Sequence, residues 1–474
     1  MIRLSSKILL TAALVFVAVA QARAEELPKG AVVARVVAAS DPAHSYALYL
    51  PSSYTPAKKW PILYAFDPVA RGSVPVERYK AAAERFGWIV VGSNNSRNGP
   101  MQPSVDAAKV MWDDTHARFS IDERRHYATG FSGGARLATS LALLCDRCMA
   151  GVVAHGAGFS PRAELSSTPP FAFFGAVGRD DYNYPELFAL DETLSKLGAS
   201  RRVVSFDGTH QWATPEVCEE SVAWMELQAM RAGARAKDEA VIEELWTKEL
   251  ARAREAESAR DLYAALRRYR SLAETFAGLR SVGEAEQSVA RLVETKEARR
   301  GREDVRDEMK RQEQFTRRIL GLAQARRAPA NLDEEGNAAV NAAASFRGLV
   351  SELRKQAAGE RDTGERRVAR RSLGGAFAQF YEGAEALRRS GKDAEAVFQM
   401  ENAAELAPDN AHVLFELASA YAANRQKKKA VETLTRAVEK GFSDADRLAN
   451  DKAFDSLRDA EDFKRVAARL GRKS

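Results

Sequence analysis

Among the 474 residues, the segment Gly130-Phe131-Ser132-Gly133-Gly134 carries the clearest chemical promise. A serine hydroxyl attacks a carbonyl only when it protrudes on a tight turn and has a base beside it. The flanking glycines permit such a turn, because a Cβ there would collide with neighbouring backbone. The segment follows an apolar run at 126–129 and opens a helical pattern at 135–144. The start of a helix adds positive potential, and the Gly133 amide can face a developing oxyanion. Two further loops supply the partners that such a serine needs. The apolar run 171–177 leads into Gly178-Arg179-Asp180-Asp181, and the run 202–206 leads into Asp207-Gly208-Thr209-His210-Gln211-Trp212. His210 is thereby the candidate base. Asp181, three residues beyond Gly178, is the preferred orienting acid, with Asp180 as the alternative.

A second oxyanion donor is expected from the loop Phe66-Asp67-Pro68-Val69-Ala70-Arg71-Gly72. Pro68 has no amide hydrogen, so Asp67 or Val69 must donate, with Asp67 the first choice. Asp67 can equally be a turn former. Arg71, Arg97, Arg179 and His155 also fall at strand ends and are candidates to face substrate, although turn chemistry alone accounts for the Asn and Gly around them. If the arginines face the site, they favour a substrate that carries a carboxylate. No cofactor is implied. The Cys145-x-x-Cys148 pair lacks the second pair that a zinc site of this type needs, so no metal is assigned.

These groups must be positioned by secondary structure. Short β-rich runs at 31–37, 45–50, 61–66, 88–92, 126–129, 151–154, 171–177 and 202–206 alternate with helical patterns at 76–86, 105–119, 135–144 and 186–197. Near-continuous apolar strands alternating with helices predict an α/β fold, a mainly parallel sheet covered on both faces. In such sheets reactive groups gather beyond the C-terminal strand ends. This domain is expected to span 25–230. Residues 231–371 are rich in Ala, Arg, Glu and Leu and read as helical, with a linker near 327–336. In the last part, 372–474, Phe380, Ala384, Leu387, Ala396, Met400, Ala403 and Pro408 recur as Leu414, Ala418, Tyr421, Ala430, Leu434, Ala437 and Phe442. The shift is 34 positions, and the three alanines return unchanged. That period resembles tetratricopeptide repeats, over about two units. Such repeats imply a protein or peptide partner, or a rigid cap packed on the first domain.

The whole chain is 45% hydrophobic and 29% charged, and 71 basic against 65 acidic residues leave +6. This is mild for the length, and no basic stripe interleaved with aromatics marks a nucleic-acid surface. Arg3 and Lys7 precede an apolar run at 8–20, and Ala22-Arg23-Ala24 gives a small-x-small cleavage pattern, so residues 1–24 read as a signal peptide. A periplasmic or secreted protein with no stable membrane span after cleavage is expected. In an oxidising compartment two of Cys145, Cys148 and Cys218 could pair, or all could simply pack.

Over 31–230 the sequence resembles the α/β-hydrolase superfamily, and is most similar to compact secreted esterases of the polyhydroxybutyrate-depolymerase and feruloyl-esterase type. The resemblance rests on the Phe66-Asp67-Pro68 loop, the segment Gly130 to Arg136, and Gly178-x-x-Asp181-Tyr182-Asn183-Tyr184. It implies ester hydrolysis through an acyl-enzyme, with nucleophile, acid and base at Ser132, Asp181 and His210. A small ester with a short acyl chain would be the substrate, and no large lid is inserted. A serine peptidase similar to the prolyl-oligopeptidase group, and a non-catalytic scaffold bearing protein-binding repeats, are the alternatives.

Overall fold

In the computed structural model, residues 27–160, 163, 165–327 and 334–470 are described. Residues 1–24, expected to be a signal peptide, and residues 328–333 of the expected linker lie outside them. The chain runs β1 (Val32–Val37), β2 (Ser45–Tyr49), β3 (Trp60–Phe66), α1 (Ser73–Phe86), β4 (Ile89–Ser93), α2 (Met101–Arg118), β5 (Ile121–Phe131), α3 (Gly133–Leu144), β6 (Gly151–His155), β7 (Ala172–Gly178), α4 (Tyr184–Lys196), β8 (Arg201–Phe206) and α5 (Pro215–Arg231). All seven residues of β3 and all seven of β7 are buried, as strands covered on both faces require. The eight strands form one sheet in the order β1-β2-β4-β3-β5-β6-β7-β8. β1 and β2 are antiparallel, and every pairing from β4 to β8 is parallel. This is the α/β-hydrolase architecture. One apolar cluster, including Ile62, Val152, Phe173 and Leu187, fills one face, and another, including Leu63, Tyr79, Val153 and Trp224, fills the other.

β5 is longer than the apolar run that announces it. Its pairing with β3 jumps from Trp60↔Ile121 to Ile62↔His126, so five positions on β5 oppose two on β3. The surplus residues, Asp122 to Arg125, are all charged and make an excursion at the N-terminal end of the strand.

Helices follow to the end: α6 (Glu239–Ser258), α7 (Leu262–Phe276), α8 (Gly283–Val293), α9 (Lys296–Ala325), α10 (Glu334–Ala357), α11 (Gly364–Arg389), α12 (Asp393–Leu406), α13 (Ala411–Ala423), α14 (Lys427–Glu439), α15 (Ala445–Asn450) and α16 (Glu461–Leu470). α6 to α8 dock on α5 through Ala223, Leu227 and Met230. α11 continues unbroken through residues 371 and 372. The turn between α11 and α12 returns between α13 and α14 with the same 34-residue offset, so that Gly391 (φ 68°) is replaced by Arg425 (φ 57°) in the same left-handed conformation. α9 folds back on the first domain, where Val305 and Met309 pack against the sheet core.

Candidate active site

The turn between β5 and α3 holds Ser132 at φ 53°, ψ −120°, a conformation unusual for a residue with a Cβ. Sterics explain the glycines around it. A Cβ on Gly130 would lie 2.1 Å from the Gly134 carbonyl oxygen, and one on Gly134 would lie 2.0 Å from that of Phe66. The strained turn is pinned by the Ser132 amide, which donates to the His155 carbonyl at 2.8 Å.

The loops after β7 and β8 meet this turn. Ser132 Oγ lies 2.9 Å from His210 Nε2, and His210 Nδ1 lies 2.9 and 3.0 Å from the two carboxylate oxygens of Asp181. A carboxylate can only accept, so Nδ1 carries the proton and Nε2 presents a lone pair to the serine hydroxyl. Asp181 is fully buried and also accepts from the Asn183 amide at 2.8 Å. Asp180 turns the other way: its carboxylate meets Arg370 at 2.8 Å and Arg366 at 3.7 Å, both on α11.

The loop after β3 is built around the Asp67 carboxylate, which accepts from the Val69 amide (3.0 Å), from Arg71 Nε (3.0 Å) and from Trp212 Nε1 (2.9 Å). Burial pushes this carboxyl up, but the bonds from Arg71, Trp212 and Val69 outweigh it and leave it below the usual carboxylate range. The Val69 amide is therefore committed to Asp67. Asp67 and Gly133 both line the cleft above Ser132. So does Asn98: a Cβ on Gly133 would fall 1.8 Å from Asn98 Oδ1, which places the amide side chain directly over that backbone.

Three of the proposed substrate-facing residues are placed otherwise. Arg71 is turned to Asp67, its neighbour four positions back on the same loop. Arg179 faces Asp207 at 3.3 Å. His155 is fully buried beneath the serine turn, with Nε2 2.8 Å from the Tyr79 hydroxyl and its ring 4.9 Å from that of Trp212. Burial and the Arg78 charge bring its pKa down to about 3, so it is neutral and structural. Arg97 does line the cleft.

The cleft, of about 1640 Å³, is not closed by the first domain alone. Its far wall consists of α9 and α11, with residues such as Thr316, Arg317, Gln379 and Glu382, and it extends to His412 and Arg447. Among the described residues, no insertion within the first domain covers the site; helices far downstream do. The hinge of this arrangement is Tyr182. Its ring lies 4.3 Å from that of His210, its carbonyl accepts from Gln312 Nε2 of α9 at 2.7 Å, and Gly374 and Gly375 of α11 press against it. A Cβ on either glycine would stand 3.4 Å from Tyr182. Sequence reasoning placed neither Tyr182 nor the α9–α11 wall at the site. The diglycine at the centre of a long helix is the one local signal that another group approaches closely.

No protein family is matched by the sequence, and no curated protein is significantly similar to it. Solved structures share its outline over about two-fifths of the chain. An S-formylglutathione hydrolase from Staphylococcus aureus is 13% identical, with a TM-score of 0.33, over 42% of this chain and 98% of its own. A ferulic acid esterase is 17% identical (TM-score 0.34, 41% and 96% covered), and a thermostable carboxylesterase from a metagenomic library is 14% identical (TM-score 0.34, 42% and 90% covered).

Proposed function

We propose that the chain is an exported serine hydrolase that cleaves carboxylic esters through an acyl-enzyme on Ser132. The observation that supports this most is the unbroken chain of hydrogen bonds from Ser132 Oγ through His210 to Asp181. As Ser132 attacks, its proton passes to His210 Nε2, and the buried Asp181 stabilises the resulting imidazolium. The main-chain amides of Gly133 and Asp67 then hold the oxyanion. His210 returns the proton to the leaving alcohol, and water completes the second half-reaction by the same route.

The acyl group is short, in keeping with a compact first domain, while the cleft toward α9 and α11 suits a large polar alcohol. The 34-residue offset of the last helices favours tetratricopeptide-like repeats, offering a further surface for a peptide or protein. Export rests on the sequence of residues 1–24, and the disulfide Cys145–Cys148 suits an oxidising compartment.

A fluorophosphonate probe tests the mechanism. Labelling of the folded protein should occur at Ser132, vanish in Ser132→Ala and slow by about three orders of magnitude or more in His210→Ala. A folded protein that takes no label refutes the proposal. Turnover of short nitrophenyl esters should exceed that of proline-containing peptide amides, and the reverse order would make the enzyme a peptidase.

A further inference from the structure

At the opposite end of β5 from Ser132, three side chains converge that the proposed chemistry does not use. His116 on α2 and His126 on β5 place their Nε2 atoms 3.1 Å apart, and Glu123 Oε2 lies 3.8 Å from the first and 3.7 Å from the second. Each offers one donor atom, all within 4.8 Å of one another. The excursion in β5 produces this meeting. On a regular strand Glu123 and His126, three residues apart, would point to opposite faces; the surplus residues opposite β3 turn Glu123 back toward the histidine.

The hydrogen atoms leave a lone pair between the rings. His116 Nδ1 lies 2.8 Å from the Trp112 carbonyl, which only accepts. Nδ1 therefore holds the proton, and Nε2 of the neutral ring is a lone pair aimed at His126. Fixing one ring nitrogen on a carbonyl is the usual way in which a metal-binding imidazole is oriented. Trp112 packs against both rings, stacked on His116 at 4.3 Å and tilted against His126 at 4.5 Å. His126 is 2% exposed, and the turn carrying the Cys145–Cys148 disulfide is tied to its carbonyl through the Ala150 amide. Tetrahedral zinc with bonds of about 2.0–2.1 Å sets its donors about 3.3–3.5 Å apart, a spacing bracketed by the three distances here.

We propose that His116, Glu123 and His126 bind a divalent transition-metal ion of the zinc class, with water completing the coordination. His126 and Ser132 are six positions apart along extended chain, about 20 Å, so the ion takes no part in the acyl chemistry. It ties α2 to β5 at the base of the sheet. The donor set of two imidazoles and one carboxylate suits zinc, copper, nickel or cobalt, and disfavours magnesium or calcium, which prefer oxygen ligands throughout.

The test uses the full mature chain freed of metal, titrated with Zn²⁺ by calorimetry and with Co²⁺ by visible absorption. A single equivalent should bind with a dissociation constant of about 10 µM or tighter, with the intense cobalt bands of four-coordination. Binding should weaken at least about 100-fold in His116→Ala and about 10-fold or more in Glu123→Gln, an exposed position where the fold is not at risk. Excess Zn²⁺ should raise the melting temperature of the wild type by about 2–4 °C and leave His116→Ala unmoved. Ser132 labelling, followed in parallel, should stay within about two-fold in both variants. No saturable binding at about 100 µM Zn²⁺, or binding that both variants retain, overturns the proposal and reduces the pair to an ordinary N–H···N hydrogen bond.

Discussion

If Tyr182 carries the position of α11 to the catalytic imidazole, then the size of residue 375 should set the rate. Gly375→Ala adds a Cβ 3.4 Å from Tyr182 Cβ and 3.7 Å from Thr316 Oγ1, ordinary contacts on both sides. Within a helix that change should stabilise by about 0.5–1 kcal/mol and leave kcat/KM within about two-fold. Gly375→Leu is different. Its branch reaches about 1.5–2.5 Å beyond the Cβ, into space already filled by Tyr182 and α9. Either α11 moves outward or the Tyr182 ring is driven against His210, 4.3 Å away. A displacement of about 1 Å at a catalytic group can cost about 100-fold, or about 2.7 kcal/mol of barrier. Overpacking should also remove about 1–3 kcal/mol of stability. We therefore expect kcat/KM for a short nitrophenyl ester to fall about 10- to 100-fold in the leucine variant, mostly in kcat, with fluorophosphonate labelling slowed in step. Gly383→Ala on the same helix, facing Gln399 at 3.8 Å, is the control and should keep full activity. A folded Gly375→Leu protein with wild-type kcat/KM would refute the coupling, as would an alanine variant impaired as severely as leucine.

Two other outcomes separate neighbouring residues with different duties. Asp181→Asn should reduce kcat by about four orders of magnitude, because the amide favours the wrong His210 tautomer. Asp180→Asn should stay within about ten-fold and show instead as a lower melting temperature, since the bonds it weakens lead to Arg366 and Arg370; equal losses of kcat would contradict the assignment of the acid. His155 gives a pH signature. Its folded pKa of about 3 lies below the value near 6.5 of the unfolded chain, so unfolding takes up a proton between those limits and stability falls as pH drops. At pH 5 the loss from this residue is about 2 kcal/mol, and chemical denaturation of His155→Gln should show a shallower decline between pH 7 and pH 5. A slope unchanged by the substitution would disprove the buried neutral state.

The sequence made the strand ends readable because a buried parallel strand is an uninterrupted apolar run with a polar loop after it. That pattern locates which loops meet at the rim, including those of Ser132, Asp181 and His210. It does not say which way a side chain at the rim turns. His155 ends β6 at the same edge, yet its ring points beneath the turn, held by Tyr79 and Trp212 from far along the chain. Arg71 was equally placed and is drawn aside by Asp67. Asp180 and Asp181 differ by one position, and the difference is decided by arginines nearly two hundred residues downstream. The first half of β5 was illegible for another reason: Asp122 to Arg125 are all charged and have no partner on β3, so no apolar run announces this stretch. His116 and Glu123 come together through that irregularity, which no periodicity announces.

The least readable feature, the docking of α9 and α11, is built largely from charge. Arg371 is 1% exposed, lies 3.8 Å above the Tyr184 ring and donates to the Arg179 carbonyl, while Arg367 meets Glu308 at 2.7 Å. Burial lowers the pKa of Arg371, which marks the desolvation that the cation bears. A buried ion network contributes little net stability against an apolar one, because desolvation offsets the attraction. What it does supply is register. An apolar face tolerates sliding by a turn, whereas a guanidinium aimed at one carbonyl and one carboxylate does not. Tyr182 sits between Arg179–Asp180 and Tyr184, the residues this network grips, and its ring also packs against that of His210. Apolar replacement of the network, for example Arg371→Met and Arg367→Leu with Glu308→Leu, should therefore keep the melting temperature within a few degrees while lowering kcat through loss of register. A variant that melts far lower yet turns over normally per folded molecule would show that the charges serve cohesion and that Tyr182 finds its place without them.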